Sequence, residues 1–122
     1  MNSMDQLVAS YLATWNETDP VARRAAIEEI WAEGGVYTDP MAVAEGRDAI
    51  DATIAAVQGQ FPGFVFTLAG PVDAHHDIAR FTWGLGPAGG EALVVGFDVA
   101  VLAEDGRIGR VHGFLDKVPA GV

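Results

Sequence analysis

The apolar positions of this chain change period about halfway along. In the first half they recur every third or fourth residue, as on one face of a helix. Leu7, Val8, Tyr11, Leu12 and Trp15 form the first such stripe, with Asp5 placed to complement the helix start. Asn16-Glu17-Thr18 breaks the pattern. Asp19-Pro20 then signals a second helix, a capping side chain followed by proline at the first helical position. Ile27, Ile30 and Trp31 supply its stripe and Gly34-Gly35 its end. Val36-Tyr37-Thr38-Asp39 reads as a short strand stopped by Pro40. A third helix follows Gly46, with Ile50, Ile54 and Val57 on one face and Gly59 as its stop.

The second half alternates. Phe64 to Leu68 opens a strand that Gly70-Pro71 kinks, and the chain turns near His76-Asp77. From Ile78 to Leu85, Ala79, Phe81, Trp83 and Leu85 share one face, and Arg80 and Thr82 the other. Gly86-Pro87-Ala88-Gly89-Gly90 and Glu104-Asp105-Gly106 are hairpin loops, and a final strand runs from Arg107 to about Asp116. The order helix, helix, strand, helix, then four antiparallel strands predicts one α+β domain over residues 1–122, a curved sheet wrapped around three helices.

Composition narrows the function classes. At 122 residues the chain can bury a real core, and its 50% hydrophobic content excludes intrinsic disorder. A formal charge of -10 disfavours nucleic acid and anionic membrane surfaces, because phosphate binding draws on clustered Lys and Arg. The absence of cysteine removes disulfides, thiol catalysis and thiolate metal sites. No apolar run reaches membrane-spanning length and the first residues lack a basic signal-peptide head, so a cytoplasmic location is expected.

One carboxylate stands out. Asp98 interrupts Ala92–Leu102, the most apolar and β-branched stretch of the chain. A strand apolar on both faces is covered on both faces, and Asp98 shares its side with Val94, Gly96, Ala100 and Leu102. An ionised carboxylate there must be paired, become protonated or line a cavity. Two other residues carry possible chemistry. Tyr11 lies on the apolar face of the first helix, where a core tyrosine with a backbone partner is the ordinary role. Asp39 precedes Pro40, which biases it towards extended backbone; its ordinary role is a strand-end turn former.

Together these residues carry a resemblance. Tyr11-Leu12-Ala13-Thr14-Trp15-Asn16, Val36-Tyr37-Thr38-Asp39-Pro40 and Gly46-Arg47-Asp48-Ala49-Ile50 resemble the amino-terminal half of the nuclear-transport-factor-2-like superfamily. Within it, the pattern is similar to the ketosteroid isomerases and SnoaL-like polyketide cyclases, over nearly the whole chain. The resemblance implies a cone-shaped α+β barrel, with three N-terminal helices in the concave face of a mostly antiparallel sheet. It implies Asp39 as general base and Tyr11 and Asp98 as oxyanion donors. Trp15, Tyr37, Ile54, Phe81, Trp83, Leu85 and Ala100 would line a pocket for a small hydrophobic molecule.

The implied chemistry is proton transfer next to a carbonyl, enolisation, isomerisation or cyclisation, with no cofactor and no metal. Asp39 would take the proton, and Tyr11 with protonated Asp98 would meet the developing enolate oxygen. Ketosteroid isomerase is itself the standing example of a carboxylic acid kept neutral by an apolar site. This chain departs from that family in the segment after Pro40 and at Trp83, a bulky residue that implies a narrower cavity. Gly96 occupies the position where epoxide hydrolases of this fold carry an arginine, which argues against that branch.

The remaining signals are blander. His75 and His76 sit beside a turn and lack further metal ligands nearby in sequence. Glu28, Glu29 and Glu33 form a solvated helix face. Leu93, Val95, Phe97, Val99 and Val101 make a second apolar face on the strand of Asp98, and His112 with Arg110 and Phe114 is expected beside it. That outer sheet face predicts a homodimer. Two other functions fit the sequence: a pocket that binds an apolar ligand without catalysis, and a structural dimerising module whose cavity Trp83 and Phe81 fill.

Overall fold

The computed structural model describes residues 3–119. Helix α1 (Ser3–Asn16) buries Val8, Tyr11, Leu12 and Trp15, the stripe that the helical period predicts. Helix α2 (Pro20–Ile30) begins as its sequence dictates: Ala22 N–H donates to the Asp19 carboxylate at 2.9 Å, and Pro20 occupies the first turn. Helix α3 (Arg47–Gln60) buries Ile50 and Ile54 and runs through Gly59 to Gln60. It follows Gly46, whose φ of 88° lies in the region open to glycine.

Among the described residues there are seven strands: β1 (Trp31–Thr38), β2 (Val43–Glu45), β3 (Phe64–Leu68), β4 (Asp73–His75), β5 (Ile78–Pro87), β6 (Val94–Leu102) and β7 (Ile108–Lys117). They form one sheet in the order β2-β1-β7-β6-β5-β3, with β4 paired to β5 beside β3. All pairings are antiparallel except that of β1 with β7. The sheet is curved around the helices and does not close, so the architecture is an open α+β cone.

Three details differ from the sequence reading. Trp31 belongs to β1, where it is buried against β7, opposite Ile108. The apolar spacing Ile27-Ile30-Trp31 suits a helix, but the chain is already extended at Trp31 (φ -99°, ψ 136°). Gly34-Gly35 therefore sits within β1, where the register against β7 shifts. A Cβ on Gly35 would lie 2.5 Å from the Trp31 ring, so only glycine fits beneath the indole. The short strands β2 and β4 were not legible because three residues carry too little alternation to register.

The helices are tied to one another by a buried cation. Arg23 lies on the Ile27 and Ile30 side of α2 and donates to Asp51 at 2.6 Å and to the Gln58 side chain at 2.9 Å. Gln58 in turn donates to the carbonyls of Trp15 and Glu17. This links α3 to the end of α1. Asn16 clamps α1 to the sheet, donating to the Phe66 carbonyl and accepting from the Phe66 N–H. Both devices fix the helix face that carries Tyr11 and Trp15 over the concave side of the sheet.

Candidate functional site

Alternation along β6 places Val94, Gly96, Asp98 and Ala100 on the inner face, and all four are buried. Asp98 stands between Phe81 of β5 and Gly113 of β7. Only 2% of it is exposed. The Tyr11 hydroxyl reaches down from α1 and donates to Asp98 Oδ2 at 3.2 Å, while Oδ1 has no hydrogen-bond partner. Burial raises the pKa of Asp98 to about 6; the Trp83 and Tyr11 donors oppose the rise, and the charge of Asp39 adds to it. The Trp83 indole thus bears on the carboxyl from β5 without closing a hydrogen bond to Oδ1.

Tyr11 is itself fully enclosed. Burial first, then the neighbouring Asp98 charge, hold its phenol well above the usual range, so it stays a donor. Its ring meets Trp15, Trp31 and Phe81 at centroid distances of 6.5, 6.3 and 5.9 Å. These contacts fix the direction of its hydroxyl.

Asp39 lies just past the end of β1 and is half-buried. Its Oδ1 accepts from the N–H groups of Met41 and Ala42, each at 2.8 Å, so it does close the turn that Asp-Pro signals. Its Oδ2 accepts from the Tyr37 hydroxyl at 2.8 Å. Tyr37 is two residues back, on the same side of the strand, and is buried. Burial, the Asp98 charge and the Asp39 charge all raise its pKa, so Tyr37 also remains a donor.

These groups share one cavity. Tyr11, Trp15, Tyr37, Asp39, Trp83, Leu85 and Asp98 line it, seven of the ten site residues named from the sequence. Ile54, Phe81 and Ala100 do not. Ile54 is wholly buried on α3; Phe81 packs edge-on against Tyr11; and Ala100 sits one inward step beyond Asp98, beside Val111. All three support the wall from behind. The cavity has about 60 Å³ of space for the centre of a water molecule.

Sequence reasoning missed the other eleven of the eighteen lining residues. Leu12 and Val57 lay on stripes already identified, and Phe66 on a strand already identified, so those signals were present. Met41, Phe114 and Val118 are exposed apolar residues that border the opening. Phe114 pairs with Phe97 of β6 and so keeps the outward side that alternation predicts, reaching the cavity only at its rim. Gly113 provides room between the two carboxyl groups. A Cβ there would lie 3.0 Å from Asp98 Oδ1 and 3.5 Å from Asp39 Cβ.

His75 and His76 are exposed at the β4–β5 turn, away from this cavity. Among the described residues there is no cluster of three or more potential metal ligands, and no helix long and apolar enough to cross a membrane.

The open cone of three helices and a curved sheet is the nuclear-transport-factor-2-like fold. The chain belongs to the SnoaL-like domain family, whose model matches residues 8–111. Among solved structures, a candidate isomerase of the SnoaL-like family from Agrobacterium tumefaciens is 42% identical. The match covers 91% of this chain and 95% of that one, with a TM-score of 0.87. A candidate polyketide cyclase from Sinorhizobium meliloti shares the fold at 21% identity over 93% and 99% of the two chains, with a TM-score of 0.71. A protein of ketosteroid isomerase-like fold from Catenulispora acidiphila, solved with trimethylamine, shares it at 19% identity over 88% and 82%, with a TM-score of 0.69. No curated protein sequence matches the chain.

Proposed function

We propose that this protein is a small cofactor-independent enzyme that moves a proton next to the carbonyl of a hydrophobic substrate. Asp39 is the base. It takes a proton from the carbon beside the carbonyl, and the C–H electron pair moves into a new carbon–carbon double bond. The carbonyl oxygen gains the charge as an enolate. Tyr11 and protonated Asp98 donate to that oxygen, and Asp39 then returns the proton to the same or a conjugated carbon. Return to a conjugated carbon is double-bond isomerisation.

The observation that supports this reading is the shared cavity: a buried Tyr11–Asp98 pair at one end and the Asp39 carboxylate on the same apolar space. Donors fixed in an apolar site before the charge develops stabilise it without reorganisation. The pKa of Asp98 adds a condition. At about 6 it leaves the free protein mostly ionised at neutral pH, so the donor form dominates on the acid side. Enolisation of a cyclic enone by wild type and Asp39→Asn tests the assignment. Loss of a general base costs roughly a hundredfold to ten-thousandfold in rate. Equal rates for the two proteins remove Asp39 from this role.

A second reading, a pocket that binds an apolar ligand without turnover, is favoured by one fact: Asp39 Oδ1 already serves the turn to Ala42. It predicts tight binding of a phenol with no enolisation at any pH.

The same proposal includes a second copy of the chain on the outer sheet face. Val95, Phe97, Val99 and Val101 of β6 are half-buried there, on the side opposite the inward row of Val94, Gly96, Asp98 and Ala100. Sedimentation should show a dimer that Phe97→Lys dissociates; an unchanged wild-type monomer removes this part.

A further inference from the structure

Trp83 does something in this cavity that its neighbours do not. Its cross-strand partner is Gly96, and the indole lies flat against that glycine: a Cβ on Gly96 would stand 2.0 to 2.6 Å from three atoms of the six-membered ring. An aromatic side chain that covers a glycine on the adjacent strand shields bare backbone and is held there. Gly96 is one inward step from Asp98, so the indole occupies the floor directly beside the carboxyl. It also continues an aromatic arc. Tyr37 to Trp15, Trp15 to Phe66 and Phe66 to Trp83 are each 5.2 to 5.3 Å apart by ring centroid. Rings so interlocked leave little freedom for the wall to retreat.

The size of the remaining space sets the scale. At about 60 Å³ the enclosed space is well under the roughly 150 Å³ of an engineered apolar cavity that takes one benzene, so more than one ring does not fit behind the opening. Towards the opening the restriction ends, because Met41, Phe114 and Val118 present exposed apolar surface.

We propose that the site accepts a single six-membered ring bearing the reacting oxygen, that substituents opposite that oxygen leave across Met41, Phe114 and Val118, and that Trp83 seated on Gly96 excludes rings fused at its side. This deepens the proton-transfer reading and takes from it which end of the ring points at Asp98. The substrate class is then a monocyclic carbonyl compound with an apolar tail.

The test uses titration calorimetry of the intact protein with phenol, 4-propylphenol and 1-naphthol, whose second ring lies beside the hydroxyl-bearing carbon. Wild type binds 4-propylphenol at least as tightly as phenol and binds 1-naphthol about tenfold or more weakly, the scale of a misfit in an apolar pocket. Trp83→Val narrows that gap to below about threefold by opening the floor. Comparable wild-type affinity for 1-naphthol and 4-propylphenol overturns the limit, with no variant needed. A gap that persists in a folded Trp83→Val protein overturns the role of Trp83. Failure of the parent reading looks different. Size discrimination in which Tyr11→Phe and Asp98→Asn leave phenol affinity unchanged keeps the single-ring limit and removes the oxyanion pair, whereas no binding of any phenol overturns both.

Discussion

Replacing Asp98 by asparagine removes one charge and little else, which makes it a sharp test of how this buried carboxyl behaves. The amide keeps the shape, and its oxygen can still accept from Tyr11. Asp98 has an ordinary value of 3.8, raised by burial to about 6 in the folded protein. The folded state therefore holds the proton more tightly than the unfolded chain. The stability this provides is fully present below about pH 4 and is lost as pH rises through about 6. Some two pH units at 1.36 kcal/mol each amount to about 3 kcal/mol, an order-of-magnitude figure. Asp98→Asn cannot lose what it never had. Subtracting its stability from that of wild type cancels every other titrating group. The amide adds an offset that does not vary with pH, because its NH2 takes the place of the unpartnered Oδ1. Urea unfolding at several pH values measures the difference. Asp98→Asn should gain on wild type by about 3 kcal/mol between about pH 3 and about pH 7.5. For a chain of this size that is roughly 10 °C in Tm. A difference constant to within about 0.5 kcal/mol over that range refutes the argument, because it leaves Asp98 with the same proton affinity folded and unfolded.

Three further outcomes follow from the site. If Asp98 donates to the enolate oxygen only when protonated, kcat/KM should fall about tenfold per pH unit above about pH 6, and Asp98→Asn should remove that limb; a flat wild-type profile from about pH 5 to about pH 8 contradicts it. Tyr37→Phe releases Asp39 Oδ2, so kcat for enone isomerisation should drop roughly tenfold to a hundredfold with KM little changed; a change confined to KM assigns Tyr37 to binding alone. Gly96→Ala drives a methyl into the Trp83 ring and should cost about 1–3 kcal/mol in urea unfolding, most of it recovered in Gly96→Ala/Trp83→Val; simple additivity of the two changes shows that the residues do not touch as described.

Much of this molecule was legible before its coordinates, and the reasons are local. The Val8-Tyr11-Leu12-Trp15 stripe, the Asp19-Pro20 start and the alternation along β5 and β6 are signals carried within one element, and each produced the element it announced. Asp98 was visible because an apolar strand makes a carboxylate conspicuous. What escaped depends on partners far away in sequence. The parallel pairing of β1 with β7 has no local mark, nor do the two register shifts between β6 and β7. Two misses were within reach. Arg23 shares the face of Ile27 and Ile30, a position where a cation must find buried partners. Tyr37 and Asp39 share one side of a strand, which already placed a phenol beside the carboxylate. Gly96 was read from the sequence only as standing where an arginine would be, and the reason it is glycine, the indole upon it, required the cross-strand register.

The union of β1 with β7 has a consequence for how the fold is made. As the domain emerges from the ribosome, the first strand waits through some seventy intervening residues for its parallel neighbour. Loop closure over such a span is slow, and topologies that depend on it assemble late. Until β7 arrives, Asp39 at the tip of β1 has no Gly113 beside it, and Asp98 lacks one flank of its strand. The pieces that would do the chemistry are thus the last to be brought together, and a nascent domain halted before β7 holds its three helices without a working site.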